Sequence, residues 1–448
     1  MSDTQRRALL ADDFTGALDT GVQFLKEGRR PILFIPDEVS GSPGRDTRDS
    51  ATFVSSPAAG EEVLLMVDTE TRFLDSATAA QAVSAATGAL LKAGYEPFFK
   101  KIDSTLRGNV GAELEGMIDI LEVPALVAPA VPANGRTLVE GVVYVNGLPL
   151  TKSESGKDPF TPNRTSKAAE ILASQTTRRI KEVPLKLVRR GGEEIARLLE
   201  AETAEGREII LFDGSSEAHL RSIAEGVRLF GRPLLLAGAS GLAAALATVE
   251  ADGPGGTAEG RLVGEEILSP GKALIVAGSL MGTTVEQAQR LSREAATVST
   301  LFVDAAGALS APSEERARLL NSAGAAISEG RHLLLRTTAA PGAATVPKGS
   351  GLELAQFVGE LSREILESSP LESLILTGGS TALAVVRALG IDRMRIIGEV
   401  QTGVPLSKGG SHLLGREYRI VTKAGGFGDS GALLRMVAAL DGELPRGT

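Results

Sequence analysis

The stretch Lys100-Lys101-Ile102-Asp103-Ser104-Thr105-Leu106-Arg107-Gly108-Asn109 decides how this chain is read. It follows Pro97-Phe98-Phe99, a short apolar run with the character of a buried strand. Two lysines, an aspartate, two hydroxyls and an arginine arrive within eight residues. So much charge at the end of a buried strand costs desolvation unless it faces a polar ligand. In open α/β sheets, ligands bind beyond the carboxyl ends of the strands. An anionic, hydroxylated small molecule would use all of these groups.

The same ending recurs through the first half. Ala8-Leu9-Leu10-Ala11 stops at Asp12-Asp13, and Val63-Leu64-Leu65-Met66-Val67 stops at Asp68-Thr69-Glu70-Thr71-Arg72. Ile209-Ile210-Leu211-Phe212 stops at Asp213-Gly214-Ser215-Ser216. Leu234-Leu235-Leu236 stops at Ala237-Gly238-Ala239-Ser240-Gly241. Helical patterns lie between: Leu18, Val22 and Leu25 share one face of a helix that begins near Thr15-Gly16, with Gly28 as its C-terminal cap. Buried strands alternating with amphipathic helices imply parallel sheets. Ser40 to Gly60 and Thr151 to Thr165 read as loops, and no internal repeat is visible.

Residues 250–271 read as a linker, with Gly253-Pro254-Gly255-Gly256 at its heart. The rhythm restarts at Ala273-Leu274-Ile275-Val276 before Ala277-Gly278-Ser279. Leu374-Ile375-Leu376 then precedes Thr377-Gly378-Gly379-Ser380-Thr381, and Ile420-Val421 precedes Thr422-Lys423-Ala424-Gly425-Gly426. The first half ends its strands on Asp, Arg and Lys, the second on Gly, Ser and Thr. The predicted fold is α/β in two domains, each built on a mainly parallel sheet flanked by helices. Residues 1–249 would bind the substrate and residues 272–448 a phosphate group.

A length of 448 residues agrees with more than one core. The net charge of −9 argues against nonspecific binding to nucleic acid or acidic membranes. The chain has no cysteine, which excludes thiolate catalysis, disulfides and cysteine-held zinc or iron–sulfur centres. His219, His332 and His412 are too widely spaced for a histidine-rich metal site. No apolar run has the length of a membrane span, and the first residues lack the apolar core of a signal peptide. The cytoplasm is the expected location. Neither a G-x-x-x-x-G-K-[ST] phosphate loop nor a G-x-S-x-G elbow occurs.

Three groups of residues carry the chemistry. Asp12 and Asp13 face opposite sides of their strand end, so one can meet a ligand as general base while the other supports it. The alternative is a helix N-cap, where Asp is also favoured; the similar endings at Asp68 and Asp103 weigh toward a site. Arg72, Lys101 and Arg107 suit an anion, arginine through its two-pronged fork and lysine as a point charge. Gly278-Ser279, Gly378-Gly379-Ser380-Thr381 and Gly425-Gly426-Phe427-Gly428 are small-residue turns that let amides approach a phosphate. Gly426-Phe427-Gly428-Asp429-Ser430-Gly431 matches G-x-G-x-x-G, but only one helix fits before the chain ends, so it reads as a phosphate turn rather than a dinucleotide fingerprint.

In order, these motifs resemble the four-carbon acid sugar kinases, a family that phosphorylates threonate, erythronate and 3-oxo-tetronate with ATP. The resemblance rests on Ala11-Asp12-Asp13-Phe14-Thr15-Gly16-Ala17, Asp68-Thr69-Glu70-Thr71-Arg72 and Lys101 to Asn109. Pro132-Ala133-Asn134-Gly135-Arg136-Thr137 and Tyr144-Val145-Asn146-Gly147 extend it. Gly278-Ser279, Thr377-Gly378-Gly379, Gly403-Val404-Pro405 and Lys423 to Asp429 carry it through the second half. It implies an N-terminal substrate-binding domain and a C-terminal nucleotide-binding domain. It implies that Asp12, Arg72, Lys101, Ile102, Asp103 and Ser104 hold the acid sugar, with Arg107 beside them. Ser279, Gly378, Gly379, Ser380, Thr381, Gly425, Gly426, Phe427 and Gly428 would hold ATP. Two positions depart: Ser380 stands where the family usually carries an acid, and Thr402 where it usually carries proline.

The expected mechanism places the substrate carboxylate on Arg72 and Lys101. Asp12 accepts the proton of the terminal hydroxyl, with Asp103 next in line and Asp429 a rival. Mg²⁺ offsets phosphate charge, and domain closure excludes water. The partners are then the acid sugar and ATP, with neither nucleic acid nor membrane; a homodimer stays open as the assembly. Two other readings stay open: a non-catalytic acid-sugar-binding protein, motivated by Ser380, and a nicotinamide-dependent dehydrogenase using the terminal glycine motif.

Overall fold

Short apolar runs followed by helices set the architecture. The computed structural model describes residues 6–26, 29–35, 63–157, 161–252, 271–278, 281–337 and 350–442. It divides into two units, residues 1–260 and 261–448. Glu250 and Ala251, expected to open the linker, instead complete the helix Ser240–Ala251. Residues 253–270 of that linker, the 40–60 loop, Gly28 and Ser279 lie outside the described residues.

In the first unit the strands are β1 (Arg7–Ala11), β2 (Arg30–Phe34), β3 (Val63–Asp68), β4 (Glu96–Lys101) and β5 (Ala125–Ala128). A small antiparallel sheet of β6 (Arg136–Val139), β7 (Val142–Val145) and β8 (Leu148–Pro149) follows. The chain then supplies β9 (Ile180–Val183), β10 (Ile209–Phe212) and β11 (Leu235–Gly238). The main sheet runs β2-β3-β1-β4-β11-β5-β10-β9, parallel throughout. Every residue of β3 is buried, as expected for a parallel strand covered on both faces. Phe24, on the helix Phe14–Leu25, packs edge-on against Phe98 and Phe99 of β4 at 5.7 and 6.1 Å between ring centres.

In the second unit β12 (Ala273–Ala277), β13 (Val298–Phe302), β14 (His332–Arg336) and β15 (Ser373–Thr377) are parallel. A meander of β16 (Arg393–Gln401), β17 (Val404–Ser411) and β18 (Arg416–Lys423) completes the order β13-β14-β12-β15-β18-β17-β16. β17 is antiparallel to both neighbours, whereas β18 is parallel to β15.

Both units open with one strand order. The second and third strands lie on one side of the first, and the fourth lies on the other. The chain leaves the first strand toward one edge and the fourth toward the opposite edge. That reversal opens a crevice at the carboxyl ends, between β1 and β4 and between β12 and β15. The repeat escapes the sequence because it is one of connection, not of residues.

Candidate active site

The β1/β4 crevice gathers most of the charged residues singled out in the first half. Asp13 occupies the N-cap position of the helix Phe14–Leu25, yet its side chain makes no capping bond. Its Oδ2 accepts from the Thr15 hydroxyl at 2.9 Å, and its Oδ1 accepts from Arg72 Nη2 at 2.7 Å. Lys101 Nζ stands 3.9 Å from that same Oδ1. Gly16 makes the approach possible: a Cβ there would collide with Asp13 Oδ1 and Lys101 Nζ.

Arg72 does not stand open as the sequence suggests. Its Nε and Nη2 fork onto Asp12 Oδ2 and Oδ1 at 2.7 and 2.9 Å. Both Asp12 oxygens accept from Arg72 alone, whereas those of Asp13 are shared between Thr15 and Arg72. The Asp12 side chain is 2% exposed against 17% for Asp13, so Asp13 is the more accessible of the two. Asp103 is also committed. Arg107 donates from Nη2 to Oδ1 at 2.8 Å and from Nε to Oδ2 at 3.1 Å, and the Thr105 hydroxyl and amide bond Oδ2 as well.

The local chain explains the placement. Asn109 Nδ2 donates to the Thr71 and Leu74 carbonyls at 2.9 and 2.8 Å, pinning the 3-10 turn Thr71–Phe73 that carries Arg72. Gly108, at φ +86°, lies against Arg72, where a Cβ would sit 3.0 Å from its Cγ and 3.2 Å from its Cα and carbonyl oxygen. Lys100 points to the other face of β4 and pairs with Glu113 at 2.6 Å, both fully buried. Ile102 is 1% exposed and its amide donates to the Gly238 carbonyl, so it offers a ligand no side chain. Ser104 is partly exposed beside this cluster.

Burial pushes the Asp13 carboxyl up, but Arg72 and Lys101 more than offset this and hold it below the usual range. Burial works against Asp103 too, where Arg107 and Arg72 keep the carboxyl well below that range. Lys101 is pushed down by burial and raised overall by Asp19, Asp13 and Asp12. Asp19, a buried residue the sequence reading did not single out, is pushed up to about 6, chiefly by burial. Asp68 is fully buried, and burial with the charges of Glu70 and Asp13 raises it well above the usual range. Asp213, whose strand ending looks the same, plays a structural part instead. It accepts from the amides of Glu140, Gly141 and Leu185 at 2.7, 3.1 and 3.0 Å.

In the second unit Gly278 ends β12 against Thr381, leaving no room for a Cβ. Gly378, at φ 96°, turns β15 into the helix Gly379–Ala388, and its amide donates to the Lys423 carbonyl at 3.1 Å. Ser380 lies exposed in the first turn of that helix, while Thr381 is buried. After β18, Thr284 Oγ1 donates to the Gly425 carbonyl at 2.8 Å. Among the described residues, no strand follows the G-x-G-x-x-G stretch, only the helix Ala432–Leu440. Asp429 is exposed, and its Oδ1 accepts from Arg435 at 2.8 Å and from the Gly431 amide at 2.9 Å.

Among the described residues no group of three His, Asp or Glu side chains could hold a metal ion, and no helix is long and apolar enough to cross a membrane. That donor set does not form a protein cage for Mg²⁺, an ion that commonly binds through substrate phosphates and water.

Residues 8–246 match the family described as the sugar-binding N-terminal domain, and residues 274–433 the one described as the nucleotide-binding C-terminal domain. The D-threonate kinase of Salmonella typhimurium is 35% identical over 440 residues, covering 95% of this chain and 96% of that protein. The D-erythronate kinase of Heliobacterium modesticaldum is 29% identical, covering 95% and 94%. The 3-oxo-tetronate kinase of Pectobacterium atrosepticum is 26% identical, covering 94% and 96%. A solved structure from Salmonella typhimurium LT2 shares the fold at a TM-score of 0.73 and 24% identity, covering 96% of this chain and 98% of that one. This chain belongs to the four-carbon acid sugar kinase family.

Proposed function

We propose that this protein transfers the γ-phosphoryl group of ATP to the terminal hydroxyl of a four-carbon acid sugar. D-Threonate is the first substrate to test, because the 35%-identical relative is named for it. The observation that carries the reading is Asp13, an accessible carboxylate at a helix start that does not cap and is flanked by Arg72 and Lys101. The substrate carboxylate would meet Lys101 and the Ser104 hydroxyl. Asp13 would orient the terminal hydroxyl and accept its proton as the new oxygen–phosphorus bond forms. The bond from the γ-phosphorus to the bridging oxygen breaks, and ADP leaves. Asp12 would serve this step through Arg72, which it holds in place.

The nucleotide would lie on the turns at Gly278, Gly378–Thr381 and Gly425–Gly428. Backbone amides and the start of the helix Gly379–Ala388 favour phosphate there. Mg²⁺ would arrive with the nucleotide and neutralise phosphate charge. Such transfer is mostly positioning and electrostatics, which this set of groups supplies. A coupled assay of ADP release over D- and L-threonate, D- and L-erythronate and 3-oxo-tetronate tests the proposal. Turnover with one of these acids is expected. Acid-sugar binding without ADP release would favour the non-catalytic reading instead.

A further inference from the structure

Two buried side chains hold the glycine turn after β18 from beneath. Lys423 is 1% exposed, and its Nζ donates to the carbonyls of Ala424, Gly425 and Phe427 at 2.9, 3.3 and 3.0 Å. Gln287, fully buried on the helix Gly282–Glu294, donates from Nε2 to the carbonyls of Phe427, Gly428 and Asp429 at 3.0, 3.2 and 2.8 Å. Apart from Gly426, every carbonyl from Ala424 to Asp429 is drawn inward. In a trans peptide the N–H of the next residue points opposite the carbonyl. The amides of Gly425, Gly426 and Gly428 therefore face away from this staple. Among the described residues they meet no protein acceptor.

Lys423 is also a buried charge without an answer. Among the described residues no carboxylate pairs with it. The nearby acid Asp429 is turned to Arg435, and Arg290 bonds the Ser430 hydroxyl. Thr377 pairs with Lys423 in register on β15, and Thr284 faces the turn, neither of them charged. Burial alone pushes the Lys423 amine down to about 8. Gln287 likewise keeps a buried Oε1 with no donor, which costs stability and is hard to explain except by what Nε2 holds.

We propose that Lys423 is the charge that answers a nucleotide's polyphosphate at this turn, and that Gln287 is its partner in positioning the amides. The inference rests on the nucleotide-binding reading of the second unit. An anion placed near an uncompensated buried ammonium strengthens that group's hold on its proton. Polyphosphate binding and Lys423 protonation are then linked, so nucleotide affinity falls as pH rises above the amine's free value.

Calorimetric titration of the full-length protein with ADP between pH 7.5 and 9.5 tests this, in buffers of unequal ionisation enthalpy. The wild-type Kd is expected to rise toward about tenfold per pH unit above pH 8, with proton uptake in the buffer-dependent heat. Lys423→Arg, which stays protonated, should flatten the profile, and Lys423→Met should bind at least about tenfold more weakly at pH 7.5. A wild-type Kd independent of pH, or Lys423→Met within twofold of wild type, overturns the proposal while leaving the nucleotide reading intact. If the wild-type protein binds no ADP at any pH, that reading falls and takes the proposal with it. The wild-type profile needs no variant, so poor folding of Lys423→Met leaves the test decisive.

Discussion

Arg72 grips Asp12 with two bonds of 2.7 and 2.9 Å although the residues lie 60 positions apart. A third bond, to Asp13 at 2.7 Å, makes one guanidinium the bracket for both acids. The two carboxylates are nevertheless unequal in exposure, 2% for Asp12 against 17% for Asp13.

That inequality predicts opposite phenotypes. Asp13→Asn should lower kcat by about 10²–10⁴ with little change in stability. Asp12→Asn should strip a buried cation of its main partner and cost about 3 kcal/mol in denaturant titrations. A larger kcat loss in Asp12→Asn than in Asp13→Asn would return the role of base to Asp12.

Gly16→Ala tests the packing of the crevice. The added methyl collides with Asp13 Oδ1 and Lys101 Nζ and must push them apart. The expected result is a folded protein, destabilised by about 1–3 kcal/mol, whose kcat/KM for the acid sugar falls about tenfold or more. Unchanged kinetics would place the acid sugar elsewhere.

Asp19 is expected to mark the pH dependence. Its carboxyl is pushed up to about 6, chiefly by burial, with Lys101 opposing and Asp13 reinforcing the shift. Protonation below pH 6 removes a counter-charge from Lys101 and repulsion of the substrate carboxylate, so KM for the acid sugar should fall there, and Asp19→Asn should abolish that dependence. Stability follows the same proton. The folded value exceeds the unfolded one, so the group's contribution is full below about pH 4 and lost as pH rises through 6. At pH 8, Asp19→Asn should be the more stable protein by on the order of 3 kcal/mol; an Asp19→Asn protein that melts no higher than wild type at pH 8 would contradict this.

His332 acts in the second unit. It is fully buried, its Nδ1 accepts from the Ala273 amide at 3.1 Å, and its Nε2 lies 3.0 Å from Asp441 Oδ2. Burial holds its pKa below the usual 6.5, with Lys272 adding to the effect and Asp441 opposing it. Stability should therefore be fully present above pH 6.5 and decline as pH falls through the folded value. Melting of the purified His332→Gln variant should show a shallower decline than wild type between pH 7 and pH 5.

The positions of Asp12, Arg72, Lys101 and Asp103 were legible because each ends an apolar run, and strand ends are where a parallel sheet meets ligand. What each side chain grips was not. The closure of Arg72 on Asp12 depends on a turn held by Asn109, a contact no local spacing signals. Asp213 shares the same ending yet feeds three backbone amides, because the small sheet happens to bring Glu140 and Gly141 to it. Gln287 left no mark either: one polar residue in an amphipathic helix looks like any other until the turn it holds is seen.

The shared strand order of the two sheets separates scaffold from chemistry. One wiring diagram serves a crevice rich in ionised side chains and another rich in bare peptide groups. Relatives named for three different acids span nearly the full length of this chain. On the proposed assignment, side chains beyond β1, β3 and β4 choose the acid, while the strand order beneath them is one that both units share and leaves that choice free.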